Sequence, residues 1–282
     1  MRHSVIPRFT HGSQVEEISR ESSHYLLTIP SGKADKYRLA QLDDYTNISR
    51  GRFLLRSPLS LSLSARASSD SIPGTWGFGL WNDPFGLSLG FGGNPFQFPA
   101  LPNAVWFFGA SKENYLSFRD SGRGDPALTM PASGFIAQSF RSPRFHPMLI
   151  LAGLALPFSR KITRRLLGRV IEEDRVQLWS QGARSRDFQQ QAVGLQSVDP
   201  TQWHRYRLDW RETSSSLGKR VSFEVDDALM FESQVSPNPP LGLVIWIDNQ
   251  YAAFTPEGKI GFGVLENPEP AWLEIKDIDL AP

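Results

Sequence analysis

The 282-residue chain has no cysteine, which excludes disulfides and thiolate metal sites. It has no bias of charge: 30 Lys and Arg stand against 29 Asp and Glu, a formal net charge of +1, so no global field points to nucleic acid. No apolar run approaches the roughly 18–20 residues that cross a bilayer. The opening residues, Met1-Arg2-His3-Ser4-Val5-Ile6-Pro7-Arg8, lack the apolar centre of a secretory signal. With Met1 as the native start, the expected location is the cytoplasm. Metal-binding histidine pairs are missing: His3, His11, His24, His146 and His204 fall in no H-x-x-x-H spacing. Gly90-Phe91-Gly92-Gly93-Asn94 lacks the Lys-Ser/Thr of a phosphate loop, no G-x-S-x-G elbow occurs, and no repeat of solenoid period is visible.

Aromatic residues are plentiful, at 12% with nineteen Phe and eight Trp, and 23 Gly with 21 Pro favour turns over long helices. The apolar share of 40% is enough for a real core. Leu59 to Ala67 alternates leucine and serine, the period of a strand with one buried face. The same period runs through Trp203 to Trp210, Val221 to Asp227 and Trp272 to Ile278. Leu243 to Asn249 is almost continuously apolar, as in a central strand buried on both faces. Phe53–Leu55 follows a Gly turn; Tyr25–Ile29 and Tyr37–Leu42 read as further strands. So does Asn103–Ala110, with Asn114–Arg119 as its antiparallel neighbour. Trp76-Gly77-Phe78-Gly79-Leu80-Trp81 sets glycines between bulky rings, which suits a strand approached closely by a ligand or another backbone.

Residues 1–24 are polar and read as an N-terminal arm or a loosely held edge; residues 25–282 read as one domain. Within it, residues 147–174 read as a helical insertion. Met148 to Leu156 is apolar, Pro157 ends the run, and apolar residues at 158, 162, 166, 167, 170 and 171 share one helical face among five basic residues. Such an element lies on its own sandwich or, through 148–171, touches a membrane surface.

The order of the last four strand motifs resembles the closing strands of the concanavalin A-like lectin/glucanase superfamily, most of all family 16 glycoside hydrolases. The resemblance rests on Trp203-His204-Arg205-Tyr206-Arg207-Leu208-Asp209-Trp210, Phe223-Glu224-Val225-Asp226, Leu243-Val244-Ile245-Trp246 and the final Trp272–Ile278 strand. It implies an all-β fold: an antiparallel jelly-roll sandwich, here with the short helical insertion. It also puts Trp76–Trp81 on the strand before the family's catalytic strand, which carries E-x-D-x-x-E. The matching segment, Asn103 to Gly109, holds no carboxylate, so the family's catalytic residues have no counterpart here. A retaining glycosidase needs two carboxyl groups about 5–5.5 Å apart.

The expected activity is therefore non-catalytic binding of an oligosaccharide or polysaccharide. The alternative is a divergent hydrolase or lyase with displaced acids, for which Asp83 and Asp248 are the candidates. Sugar rings stack on aromatic faces while amides and carboxylates meet the hydroxyls. Trp76, Trp81, Asn82, Asp83, Trp106, Trp246, Asp248 and Asn249 supply both kinds of group on segments that the resemblance assigns to a concave sheet. Some relatives hold a structural calcium near the last strand, and Asp277 or Asp279 could serve it; no other cofactor is expected. Asp226 and Asp227 read as a hairpin turn.

Overall fold

Side-chain alternation sets the architecture. The computed structural model describes residues 4–10, 12–84, 100–116, 134–143, 170–179, 197–212, 219–254 and 260–282. Two seven-stranded antiparallel sheets account for most of them. The first runs, in spatial order, β1 (Ile6–Phe9), β4 (Leu39–Asp43), β14 (Gly242–Asp248), β6 (Thr75–Trp81), β7 (Ala104–Ala110), β9 (Gly134–Arg141) and β10 (Glu172–Trp179). The second runs β13 (Ala228–Ser233), β12 (Lys219–Val225), β11 (His204–Glu212), β5 (Leu59–Ala67), β17 (Ala271–Ala281), β3 (His24–Ile29) and β2 (Gln14–Ser19). A small third sheet joins β16 (Ile260–Val264), β15 (Gln250–Phe254) and β8 (Tyr115–Leu116).

Period two decides which residues meet. Leu61, Leu63, Ala65 and Ala67 of β5, Tyr206, Leu208 and Trp210 of β11, and Leu273 and Ile275 of β17 face inward. Across from them lie Trp76, Phe78 and Leu80 of β6, Val105 and Phe107 of β7, and Leu243, Ile245 and Ile247 of β14. These form one core between the sheets, where each fully buried large side chain contributes about 1.5–3 kcal/mol. Phe107 is its hub, with its ring 5.0 Å from Tyr206 and 5.3 Å from Phe223 of the opposite sheet. Every residue of β14 is buried, as its continuous apolar run predicts. The fold is thus the expected all-β antiparallel sandwich.

Several expectations need correction. Residues 6–9 and 14–19 are not a free arm: β1 pairs with β4 and β2 with β3, so each closes an edge of one sheet. Polar residues suit that place, because an edge strand keeps one side in water. Tyr115–Leu116 does not pair with β7; it runs parallel to β15, while β9 is β7's neighbour. Most of the helical insertion, 147–169, lies outside the described residues. Its last residues are not helical: Glu172, Glu173 and Asp174 open β10 and pair with Arg141, Phe140 and Ser139. Among the described residues the helical content is one 3-10 turn, Arg50–Arg52, and no helix is long and apolar enough to cross a membrane.

Candidate functional site

The outward side chains of the first sheet form a second apolar layer. Trp81, Trp106 and Trp246 stand on it with Phe108, Ile136 and Phe140. Glycines make the room. A Cβ on Gly79 would sit 2.6 Å from the Trp106 Cα, and one on Gly77 would sit 2.3 Å from the Phe107 carbonyl oxygen and 3.0 Å from the Trp246 ring. The glycines that suggested ligand approach thus admit neighbouring strands and tryptophans. Trp81 and Trp246 lie parallel, 6.1 Å apart with 4° between planes. Their exposure is 9% for Trp81, 3% for Trp106 and 6% for Trp246. Each indole N–H is met inside the protein: Trp81 donates to the Tyr45 hydroxyl (2.6 Å), Trp106 to Gln138 Oε1 (3.3 Å) and Trp246 to Thr75 Oγ1 (2.9 Å). Trp76 is five positions from Trp81, so it faces the other way. It stacks on Phe135 in the inter-sheet core at 4.9 Å.

The polar residues of the predicted set sit at opposite ends of this layer. Asp248 is opposite Thr75 at one end of β6, and Asp83 follows Trp81 beyond the other end. Six strand steps separate those ends, about 20 Å. Asp248 accepts from Thr75 Oγ1 (2.7 Å), the Thr75 and Gln250 amides (both 3.2 Å) and the Tyr37 hydroxyl (3.2 Å). Burial pushes its pKa up to about 7 despite these donors. Asn249 ties loops together: its side chain accepts from the Arg38 amide and donates to the Lys36 and Leu265 carbonyls. Asn82 does the same between the Leu101 carbonyl and the Asn103 amide. Asp83 has a positive φ of 46° and a buried Oδ2 with no hydrogen-bond partner. Burial raises its pKa, while Arg50 and Arg8 pull it back.

Sequence reasoning missed a buried polar group on the same face. Glu173, Arg175 and Gln177 alternate along β10, and Glu173 and Arg175 are 0% and 5% exposed. Gln138 lies across the strand pair from Arg175. Burial lowers the Arg175 pKa and the Glu173 charge opposes that. The signal was the alternation itself, obscured because 147–174 was read with a helical period.

The open surface is on the other sheet. Ser60, Ser62, Ser64 and Arg66 point outward from β5, beside Arg205, Arg207, Asp209 and Arg211 of β11. A groove of about 520 Å³ follows these residues from Pro58 to Arg205 and is closed along one side by Asp279 and Ala281 of β17. Beyond its Arg205 end, Arg66 lies 5.0 Å from the Trp203 ring centre and 5.4 Å from that of Trp272, and Lys276 lies 4.5 Å from Trp203. Both tryptophans are part-exposed. Glu274 anchors this cluster, bonding Arg66 (2.8 Å) and His24 (2.8 Å). Burial acts to raise the Glu274 pKa, but those bonds and charges outweigh it and hold the carboxyl low. Asp226 and Asp227, with φ of 50° and 63°, form the two-residue turn between β12 and β13.

Asp277 and Asp279 are both exposed, on either side of a bulge in β17. Asp277 donates its amide to the Ser22 carbonyl. Among the described residues no group of three or more His, Asp or Glu could hold a metal.

No family model and no curated protein matches the chain. Solved structures do. The chain is similar to an endo-β-1,4-glucuronan lyase from the fungus Trichoderma reesei, at 11% identity over 98% of this chain and 90% of that one, with a TM-score of 0.52. It is also similar to a legume lectin-like domain from Entamoeba histolytica (10% identity, 98% and 89% covered, TM-score 0.44). A third similar structure is the catalytic domain of an endo-1,3-β-glucanase, a laminarinase, from Thermotoga petrophila RKU-1 (11%, 96% and 81%, TM-score 0.43). The likeness to the glucuronan lyase is one of fold, a two-sheet antiparallel β-sandwich of the jelly-roll kind.

Proposed function

We propose that this protein binds carbohydrate without cleaving it, and that the ligand lies on the open face of the second sheet. The observation that carries this reading is the 520 Å³ groove lined by serine hydroxyls and arginine forks, with two part-exposed tryptophans beyond its Arg205 end. A sugar needs all three: flat apolar faces for its C–H groups, and donors and acceptors for its hydroxyls. The fold supports the reading, since the glucuronan lyase it resembles acts on a polysaccharide. The tryptophan layer of the first sheet serves as internal support, with its three indole N–H groups already partnered.

The paired-carboxylate route is disfavoured by distance. Asp83 and Asp248 stand about 20 Å or more apart along β6, against the roughly 5–9.5 Å that hydrolysis requires. The second reading is a lyase or hydrolase with displaced acids, and the buried Glu173 and Arg175, across β9 from Trp106, favour it. A glycan array run with a polysaccharide cleavage panel separates the two. Binding with no new reducing ends or unsaturated products is expected. Cleavage that is abolished by Glu173→Gln, Asp83→Asn or Asp248→Asn would replace the binding reading with the enzymatic one.

A further inference from the structure

The groove has a chemical bias beyond sugar binding, and it comes from how β11 spaces its charges. Arg205, Arg207, Asp209 and Arg211 alternate with core residues, so all four point outward, neighbours about 7 Å apart. Asp209 is only 5% exposed, and its two oxygens are divided between Arg207 Nε (3.2 Å) and Arg211 Nη2 (3.3 Å). It therefore orients the two guanidinium groups and offers little repulsion to an anion above it. The Nε–H of Arg207 is shared between Asp209 and Ser60 Oγ (3.2 Å), and the side chain remains 42% exposed. Four Nη donors are left, a planar fork matched to carboxylate or sulfate oxygens. Arg66 and Lys276 continue the cationic row beside Trp203. Against these five cations stand Asp209, Glu224, Glu274 and Asp279; Asp209 and Glu274 are engaged by arginine, and Glu224 lies across the strand pair from Arg207.

We infer that the groove selects polysaccharides bearing regularly spaced anionic groups, carboxylate or sulfate, over neutral ones. The inference rests on the glycan-binding reading and sharpens it. A line of forks along a strand favours a ligand with repeated charge, because successive subsites act as linked binding modules. The flanking tryptophans favour a ring-bearing chain over a bare polyanion.

The test uses the full chain in affinity electrophoresis and calorimetry against polyglucuronate, dextran sulfate, uncharged laminarin and a short single-stranded DNA. Binding to one or both acidic polysaccharides is expected, at least about tenfold tighter than to laminarin. Polyglucuronate alone would identify carboxylate as the charge read, and dextran sulfate alone would identify sulfate. Arg205→Gln and Arg207→Gln should each weaken the acidic ligand about tenfold, as loss of a charge-assisted bond predicts. Salt near 0.5 M should weaken it further. Arg141→Gln, on the first sheet, should change nothing. Near-UV circular dichroism confirms that each variant is folded. Laminarin bound as tightly as the acidic polymers would overturn the selectivity and leave glycan binding standing. No polysaccharide bound would overturn both. DNA bound as tightly as the acidic polymers would show a generic polyanion surface and overturn the inference.

Discussion

The two sheets present their outer faces to different fates. The first carries three tryptophans there, all at 9% exposure or less and all with their N–H groups partnered. The second carries serines and arginines, with Trp203 and Trp272 part-exposed and touched mainly by cations. Tryptophan count alone would place the site on the first sheet. Accessibility and unspent donors are the grounds on which we propose the second. A buried indole with its N–H satisfied stabilises the fold; a part-open indole beside guanidinium groups still has contacts to make.

The comparison can be broken by the same kind of substitution on each face. Trp106→Ala should have the largest effect, a loss of about 3–5 kcal/mol in a denaturant titration, from the lost burial and the cavity left behind. Near-normal stability would show that the layer is not core. Gly79→Ala should follow at about 3 kcal/mol, because its Cβ would fall 2.3 Å from the Val105 carbonyl oxygen. Free acceptance of alanine there would remove the close-packing argument.

Asp248 gives a pH signature of the closed face. Its folded pKa is about 7 against about 3.9 in an unfolded chain, so between those values the folded state holds the extra proton. The stability it contributes is full below about pH 4 and is lost as pH rises to about 7. Asp248→Asn keeps an acceptor for Thr75 and removes the charge. It should flatten the fall and add on the order of a few kcal/mol above pH 7. An unchanged slope in melting temperature against pH would contradict the assignment. The smallest effect on stability belongs to Trp272→Ala, about 1 kcal/mol for a part-exposed ring with a cation–π contact. The same variant should nonetheless lose glycan binding, which affinity electrophoresis would detect.

Strand identity was legible wherever alternation was clean. The Leu59–Ala67, Val221–Val225 and Trp272–Ile275 patterns each predicted the face that the core now uses. The doubly buried β14 was equally visible in Leu243–Ile247. The sequence was less plain for β9 and β10. β9 is buried along nearly its whole length without alternation, and β10 follows a segment whose apolar spacing fits a helix. The predicted site mixed two faces: Trp76 and Trp81 differ by an odd number of positions and cannot share one. Asn82, Asp248 and Asn249 have the residue types of a sugar site, but their partners are groups of the protein itself, up to 213 positions away, which no local pattern reveals. Trp203 and Trp272 were visible as strand markers. Their openness depends on how β11, β5 and β17 assemble, so it could be read only from the folded chain.

The most direct measurement is gel retardation by polyglucuronate and by laminarin for two folded variants compared with wild type. Trp272→Ala should abolish retardation while the conservative Trp81→Phe retains it. Binding lost in Trp81→Phe and kept in Trp272→Ala would put the ligand on the first sheet and contradict the account.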